Sequence, residues 1–512
     1  MDTTNNIPLA KKGFGFNWKH AALLLLVLFA ILFPFYRHII DVDAIGYITV
    51  ARYYAAGEWA KAINGYWSPL NSWLMVPMIK LDLNDVLCFK IANVFFGIGA
   101  LYQTEKLLNK FSYSNKQNTA LLLTAMVIVL YYASVQLAAD MLFTWIFLMY
   151  VNVVLKDDLD TNTKSNIHAG LIGAIAFFAK SYGGIFFILH FTFLHIAWYP
   201  FIQKKGWHLQ KYIAGMLSFL PLIIVWMILL WNKYHIITFG YSGQLNWSWV
   251  LKGGQPDYKE FFYKPPYTGA TSRWVDPFYS QARIYSPFQS KELMWQQVKL
   301  VGFNFKNTLW SALWISFLSP VLILWIFIKR KLQNRMYTMA CIIIIFPLVY
   351  LLIFIEERYL WPVSVLLPVA GGCLLQQASF RKKWMWPVLL LSFVVGPVIR
   401  LVQAANRDIE VDQLAAIIRQ RKLQGPFTAL DSGEWMHKAA FLTGNQFFGI
   451  TRPPKSWEAL EAECKANSVE AVCIEMFNRD DAIGFVGSDF YRKYQANTFK
   501  VEGRYLWVIE LK

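Results

Sequence analysis

Long apolar blocks, each about 17 to 25 residues and parted by short charged runs, recur along the chain from Ala21 to about residue 400. A helix needs about 20 apolar residues to cross the hydrocarbon core of a bilayer, and a buried helix of a soluble protein needs far fewer. Repetition of such blocks commits the chain to a many-span membrane architecture. Composition agrees: 56% of residues are hydrophobic and 16% charged, against roughly 25% charged in a soluble domain. The first block, Ala21 to Ile40, follows Lys11, Lys12 and Lys19 and runs through Phe33-Pro-Phe-Tyr-Arg37 rather than a small-residue cleavage site. It reads as a retained span, not a cleaved signal peptide.

The net charge of +17 invites a nucleic-acid reading, and its distribution argues against one. Much of the excess Lys and Arg sits in short loops between apolar blocks, where positive charge marks the cytoplasmic side. A nucleic-acid binder gathers it on one soluble face. The five cysteines show no metal spacing. Cys88, Cys341 and Cys373 fall in apolar blocks and read as packing residues. Cys464 and Cys473 share the C-terminal region, where pairing is open if that region lies outside the cytoplasm.

Starting with the N-terminus inside, about eleven spans follow, near 21–40, 86–105, 119–135, 138–155, 167–182, 184–202, 212–231, 308–328, 336–355, 360–377 and 385–402. Loops after the even-numbered spans carry the basic clusters, among them Lys106, Lys110 and Lys116, Lys204 and Lys205, Lys329 to Arg335, and Arg381 to Lys383. Loops after the odd-numbered spans carry the unusual polar residues and fall outside. The loop 41–80, interrupted by Pro69 and Pro77, reads as membrane-surface helices; the loop 232–306 is rich in Tyr, Trp, Pro and Gly. Residues 1–402 thus form the membrane domain.

Residues 403–512 have ordinary charge density and mixed periodicity. Helices are expected over Asp408 to Lys422 and Trp457 to Ala466, and strands over Phe427 to Asp431, Val469 to Glu475 and Tyr505 to Leu511. A small extracytoplasmic α/β domain fits this order.

Ionisable groups at helix ends within a membrane need a reason. Asp41 and Asp43, at the outer end of the first span, suit a catalytic base, a metal site or a sugar-hydroxyl clamp, and equally an ordinary solvated loop. Lys180 ends the fifth span beside Gly183 and Gly184, where a lipid phosphate or a snorkelling lysine would each account for it. Glu356, Glu357 and Arg358, with Tyr359, stand at the junction of spans nine and ten; an arginine flanked by acids suits a fork grip on phosphate, or an inter-helix ion pair. Asp140, between spans three and four, is a weaker candidate. All of these fall on the outer side in a topology drawn from the basic loops alone. Acids and bases gathered at one lipid–water boundary are what chemistry on an anionic lipid headgroup requires.

The stretch Asp41-Val-Asp-Ala-Ile-Gly-Tyr47, followed by Ala51-Arg, Gly57-Glu and Trp67-Ser-Pro-Leu-Asn-Ser-Trp73, resembles the first outer loop of the GT-C membrane glycosyltransferases. The branch it is most similar to is glycosyltransferase family 39, with the protein O-mannosyltransferases and lipid A aminoarabinose transferases. Asp43 with Tyr47 matches the family's acid-to-Tyr spacing, Glu357-Arg-Tyr-Leu-Trp-Pro362 resembles its late Arg-Tyr-x-x-Pro motif, and Lys180-Ser-Tyr-Gly183 resembles its Lys-Gly motif. The resemblance covers about residues 20–400, and the order of the motifs is more specific than any one of them.

That resemblance implies a GT-C fold in a bacterial inner membrane, a polyprenyl-phosphate sugar donor, an inverting transfer and an active site on the outer face. The acceptor would be a glycan, a lipid or a protein. By position, Asp43 would be the base with Asp41 as helper; Lys180 and Arg358 would hold the donor phosphate; Tyr47, Asp140, Glu356, Glu357 and Tyr359 would line the substrate site. One departure stands out. Where the aminoarabinose branch has Glu-Lys before the surface-helix proline, this chain has Trp67-Ser68, which removes a metal ligand, so no metal is assigned. Glu58 is the only nearby substitute.

Two further features remain. Trp247, Trp249, Tyr258, Tyr263, Tyr267, Trp274 and Tyr279 of the loop 232–306 suit a cap over donor or sugar, or an interfacial aromatic belt. Asp431, Glu434, Trp435 and His437 form the polar cluster of the tail, where acceptor binding would fall. A transporter or flippase of lipid-linked sugars is the competing class; such proteins often show two related halves, and none is visible here.

Overall fold

The computed structural model describes residues 15–251, 260–280, 284–328, 333–377, 383–430, 433–501 and 505–511. Lys11, Lys12, Tyr258, Lys329 to Lys331, Arg381, Lys382 and Asp431 lie outside the described residues.

The first apolar block forms α1 (Trp18–Tyr36), capped by Asn17. Three surface helices follow, α2 (Val42–Ala55), α3 (Trp59–Ala62) and α4 (Pro69–Ile79); Pro69 sits at the first helical position, where a missing N–H costs nothing. The bundle continues with α5 (Asp85–Leu108), α6 (Asn115–Val135), α7 (Asp140–Val154), α8 (Thr163–Ala179), α9 (Ser181–Phe193, running on as a π-helix to Ile202) and α10 (Leu209–Tyr234). After α11 (Ser242–Leu251) come α12 (Lys291–Ile315), α13 (Ser319–Ile328), α14 (Asn334–Leu348), α15 (Trp361–Gln377) and α16 (Met385–Ala404).

Eight of these helices are long and apolar enough to cross a membrane, or nine if the bent pair α12–α13 counts as one span. The expected count of eleven is not reached on that measure, because α7 and α8 have only 15 and 17 residues. Both nonetheless join the two ends of the bundle. At one end, Arg335 donates to the Lys110 carbonyl at 2.5 Å and pairs with Asp157, while Lys205 pairs with Asp160 at 2.9 Å. The basic loops therefore meet one another. At the other end, Asp140 and Lys180 meet at 2.5 Å, so α7 leaves that end and α8 returns to it.

The eighth expected span also differs. In place of one straight helix near 308–328, α12 begins at Lys291 and the chain turns by 113° before α13. Ser316 is extended (φ −161°) and Pro320 opens the next helix, a position that suits proline and fixes the break.

Beyond α16 the chain forms α17 (Ile409–Arg421), α18 (Gly433–Leu442) and α19 (Trp457–Ala466), with strands β2 (Phe427–Leu430), β4 (Ala471–Glu475), β5 (Thr498–Val501) and β6 (Leu506–Glu510) in the order β2-β4-β6-β5. Alternation along β4 sends Val472 and Ile474 toward α19, and Ala471 and Cys473 toward α17 and α18. That alternation also keeps the two cysteines apart: Cys464, on α19, and Cys473 belong to opposite faces of the sheet, and both are buried and outside any disulfide. A second, two-stranded sheet joins β1 (Phe262–Tyr263), from the long outer loop, to β3 (Gly449–Ile450) of the terminal domain.

Candidate active site

A cavity of about 1250 Å³ lies between the end of the bundle that holds Asp140 and Lys180, the loop 232–306 and the terminal domain. Its bundle side is built by helix starts and breaks. Asp41 opens α2 as its N-cap residue, and Asp43 stands in the first turn. Lys180 has extended backbone (φ −155°) and separates α8 from α9. Gly183 permits that break: a Cβ there would meet the Ala176 carbonyl oxygen at 2.5 Å. Gly183 thus serves close packing of α9 against α8. Glu356 to Tyr359 form a tight turn between α14 and α15.

These elements bring seven expected residues to one cavity wall: Asp41, Asp43, Tyr47, Asp140, Lys180, Glu356 and Arg358, with Tyr359 beneath them. Arg358 is the hub. Its Nη1 lies 2.5 Å from Asp43 Oδ2 and 3.9 Å from Asp140 Oδ2, and its Nε lies 2.5 Å from Glu356 Oε2. Lys180 Nζ binds Asp140 Oδ1 at 2.5 Å and stands over the Tyr359 ring, 3.9 Å from its centroid. Three carboxylates and two cations share a site in which Arg358 is only 15% exposed and Asp140 only 4%. Charges so far from water are held by one another; removing either sign would leave the other stranded at a cost of several kcal/mol, on the order of 3 to 5 for a buried pair.

Asp41 and Tyr47 are placed differently. Both Asp41 oxygens are engaged, one by the Leu137 N–H at 2.6 Å and one by Arg407 at 3.2 Å. Burial pushes its carboxyl up from the usual range, against the pull of Arg407 and of that N–H. The Tyr47 ring packs edge-on against Trp67 at 5.0 Å, and burial with the nearby Asp43 and Asp140 raises its phenol well above the ordinary value. Gly46 makes room for this: a Cβ there would meet the Trp67 ring at 2.4 Å.

Glu357 falls outside the cluster. It faces a separate crevice of about 310 Å³, pairs with Arg400 and accepts from the Tyr131 hydroxyl at 3.3 Å. Its neighbour Glu356 lines both this crevice and the main cavity, with Arg358, to which it is paired.

The remaining walls were less legible. Trp249, Tyr263 and Trp274 of the outer loop line the cavity, with Arg273 lying over the Tyr263 ring. Trp274 is fixed by its carbonyl, which accepts from Trp67 Nε1 at 2.7 Å. Trp247 instead donates to Gln297, while Tyr267 and Tyr279 pack around Asp276. From the terminal domain come Glu434, His437, Thr451 and Arg452. His437 is stacked on Phe447, and burial lowers it to about 3, so it is neutral at physiological pH. Arg273 and Arg452 carried no sequence signal beyond lying in an aromatic loop and a Pro-rich turn.

Among the described residues no group of three or more His, Cys, Asp or Glu side chains could hold a metal ion. In the cavity, Arg358 and Lys180 occupy the space between the carboxylates. Glu58 is spent on Lys61 at 3.1 Å.

A many-span bundle with a cavity at one end and a small α/β domain over it defines a class of membrane protein that has a solved counterpart. The chain is similar to the crystal structure of ArnT from Cupriavidus metallidurans bound to undecaprenyl phosphate, with TM-score 0.55 and 12% sequence identity over 97% of each chain. A structure of the same ArnT in the apo state is matched at TM-score 0.43 and 12% identity, over 96% of this chain and 97% of that one. No family model matches the chain, and no match to a curated protein was found. The likeness to the first structure establishes a shared fold, the architecture that the resemblance to GT-C glycosyltransferases implied.

Proposed function

We propose that this protein is a membrane glycosyltransferase that moves a sugar from a polyprenyl-phosphate donor to a hydroxyl acceptor at the non-cytoplasmic face. The observation that carries the reading is Arg358, which gathers Asp43, Asp140 and Glu356 at one end of the bundle, beside Lys180. The ArnT of the same fold was crystallised with undecaprenyl phosphate, which supports a lipid of this kind as donor carrier.

The chemistry follows from charge balance. A donor phosphate entering the cluster offers Arg358 and Lys180 a fork-and-point grip, and it competes with Asp43 for the guanidinium. Asp43 is the most open of the acids that face Arg358 apart from Glu356, at 32% exposed, and is released toward the cavity. Its carboxylate then takes the proton from the acceptor hydroxyl as the acceptor oxygen bonds to the anomeric carbon. The carbon–oxygen bond to phosphate breaks, the phosphate keeps the electron pair, and Arg358 and Lys180 stabilise the charge that develops there. Attack opposite the leaving phosphate inverts the sugar carbon.

Binding of undecaprenyl phosphate to the purified full-length protein tests the reading. Saturable binding that is lost in Arg358→Ala is expected; absence of binding by the wild type would overturn it. Orientation is tested by a single cysteine at Ser242, beside the cavity, which should react with an impermeant thiol reagent from outside intact cells. A transporter would need polar groups along a path between both ends, whereas the residues lining this cavity belong to one end.

A further inference from the structure

Four residues, 405–408, join the last helix of the bundle to α17, and two of them have unusual backbone. Asn406 and Asp408 both adopt the left-handed conformation, with φ of 60° and 68°. This conformation is unfavourable for an L-residue, somewhat less so for Asn and Asp, and persists where surrounding contacts impose it. Between them stands Arg407, which donates to Asp41 Oδ1 at 3.2 Å and to the Val135 carbonyl at 2.9 Å.

Asp408 extends the chain of contacts. It is buried, accepts from Lys438 Nζ at 3.1 Å on both oxygens and from the Ile40 N–H at 3.3 Å, and lies 3.8 Å from Arg407 Nε. Lys438, on α18 of the terminal domain, is itself buried and also pairs with Glu434 at 2.7 Å. An unbroken ionic path thus runs from Glu434, on the far wall of the cavity, through Lys438, Asp408 and Arg407 to Asp41. Asp41 opens α2, and Asp43 is two residues further on.

Adhesion alone does not call for this arrangement. Replacing a buried ion pair by apolar residues of similar volume is often neutral or stabilising, so apolar packing would hold the domain at least as well. Apolar and cation–π contacts are also present at the joint, as where Arg52 lies over Phe441 at 4.8 Å. What buried charges add is geometry: each partner must be in place for the next to be satisfied.

We propose that Arg407, Asp408 and Lys438 are positioning residues, which transmit the docking of the terminal domain to the first turn of α2 and so set Asp43 against Arg358. The consequence for sugar transfer rests on the function proposed above; the mechanical coupling does not.

The test uses the full-length protein in lipid nanodiscs, with hydrogen exchange read over residues 45–50 of α2 and over 433–445, and undecaprenyl phosphate as the binding probe. Lys438→Met should speed exchange over 45–50 and raise the Kd for undecaprenyl phosphate, each by about tenfold. The swapped pair D408K/K438D should restore neither, because it keeps the pair itself but sets like charges beside Arg407 and Glu434 and so breaks the path at both ends; adhesion through that pair alone would be restored. Arg407→Lys keeps the charge without the fork and should fall between. It decides the matter if Lys438→Met does not fold, because Arg407 precedes the domain. Faster exchange confined to 433–445, with 45–50 and the Kd unchanged, would reduce the joint to adhesion and overturn the proposal. Failure of the wild type to bind undecaprenyl phosphate would remove the proposed function, and the exchange data would still judge the coupling.

Discussion

Two clusters in this molecule use the same residue types and reach opposite ends. Around Asp276, Lys233 pairs at 2.8 Å and donates to the Ile63 carbonyl at 2.5 Å, while the hydroxyls of Tyr234 and Tyr267 donate to the carboxylate at 2.9 and 2.6 Å. The Asp276 side chain is 1% exposed and both of its oxygens already accept from these donors. Around Arg358, three acids divide one guanidinium, and Asp43 and Glu356 keep open faces on a cavity of about 1250 Å³. The first cluster pins the outer loop to α10 and has no capacity left for a ligand. The second holds its charges in a balance that an entering anion can redraw. Saturation, rather than residue type, separates a structural knot from a reactive one.

The largest expected effect breaks the open cluster. Asp43→Asn should lower sugar transfer by about 10² to 10⁴-fold while the protein still folds and still binds undecaprenyl phosphate, because Arg358 keeps Asp140 and Glu356 as partners. Turnover close to wild type would show that Asp43 is no base. The mirror experiment breaks the sealed cluster: Asp276→Asn should destabilise the protein by about 3 to 5 kcal/mol and expose the loop 232–306 to protease. A stable protein with an intact loop would erase the contrast. Next in size, Lys180→Ala should weaken undecaprenyl phosphate binding by about 10 to 100-fold, the loss of one charge-assisted contact, and titration calorimetry would read it. His437, buried in the wall of the open cavity, adds a test by pH. It stays neutral when folded down to about 3, whereas the unfolded imidazole protonates near 6.5. Stability therefore falls as pH drops below 6.5, by about 1.4 kcal/mol per pH unit at most, and His437→Phe should flatten melting curves taken between pH 7 and 5. Smallest of all, Glu357→Gln should change undecaprenyl phosphate affinity by less than about twofold, because Glu357 faces Arg400 across a separate crevice.

How much of this was legible in the residues depends on the range of the interaction. Apolar periodicity placed α1, α5, α6, α10 and α16 within a few residues, and Trp457–Ala466 to the residue. Period-two alternation located β2, β4 and β6. Charge in loops sorted Asp43, Asp140, Lys180 and Arg358 onto one side before any contact was visible. The bend after Ile315 escaped because Ser316-Phe-Leu-Ser-Pro320 is nearly as apolar as the helices it interrupts, and hydropathy alone does not see a turn. Glu356 and Glu357 were inseparable in sequence, since only the fold gives Arg358 to the first and Arg400 to the second. Lys233, Asp276, Arg407 and Lys438 escaped because each depends on at least one partner between 30 and more than 360 positions away along the chain.

The pairing of β1 with β3 has a consequence for how the molecule is made. Tyr263 meets Gly449 across nearly two hundred intervening residues, which include five helices of the bundle from α12 to α16. On the ribosome, every helix of the bundle emerges before the strand that closes the cavity exists. A nascent chain halted before Gly433 would carry the Arg358 cluster with its charges in place and the wall from the terminal domain still missing. Competence, on this account, arrives late and all at once, when the last quarter of the polypeptide folds back over what the first three quarters have built.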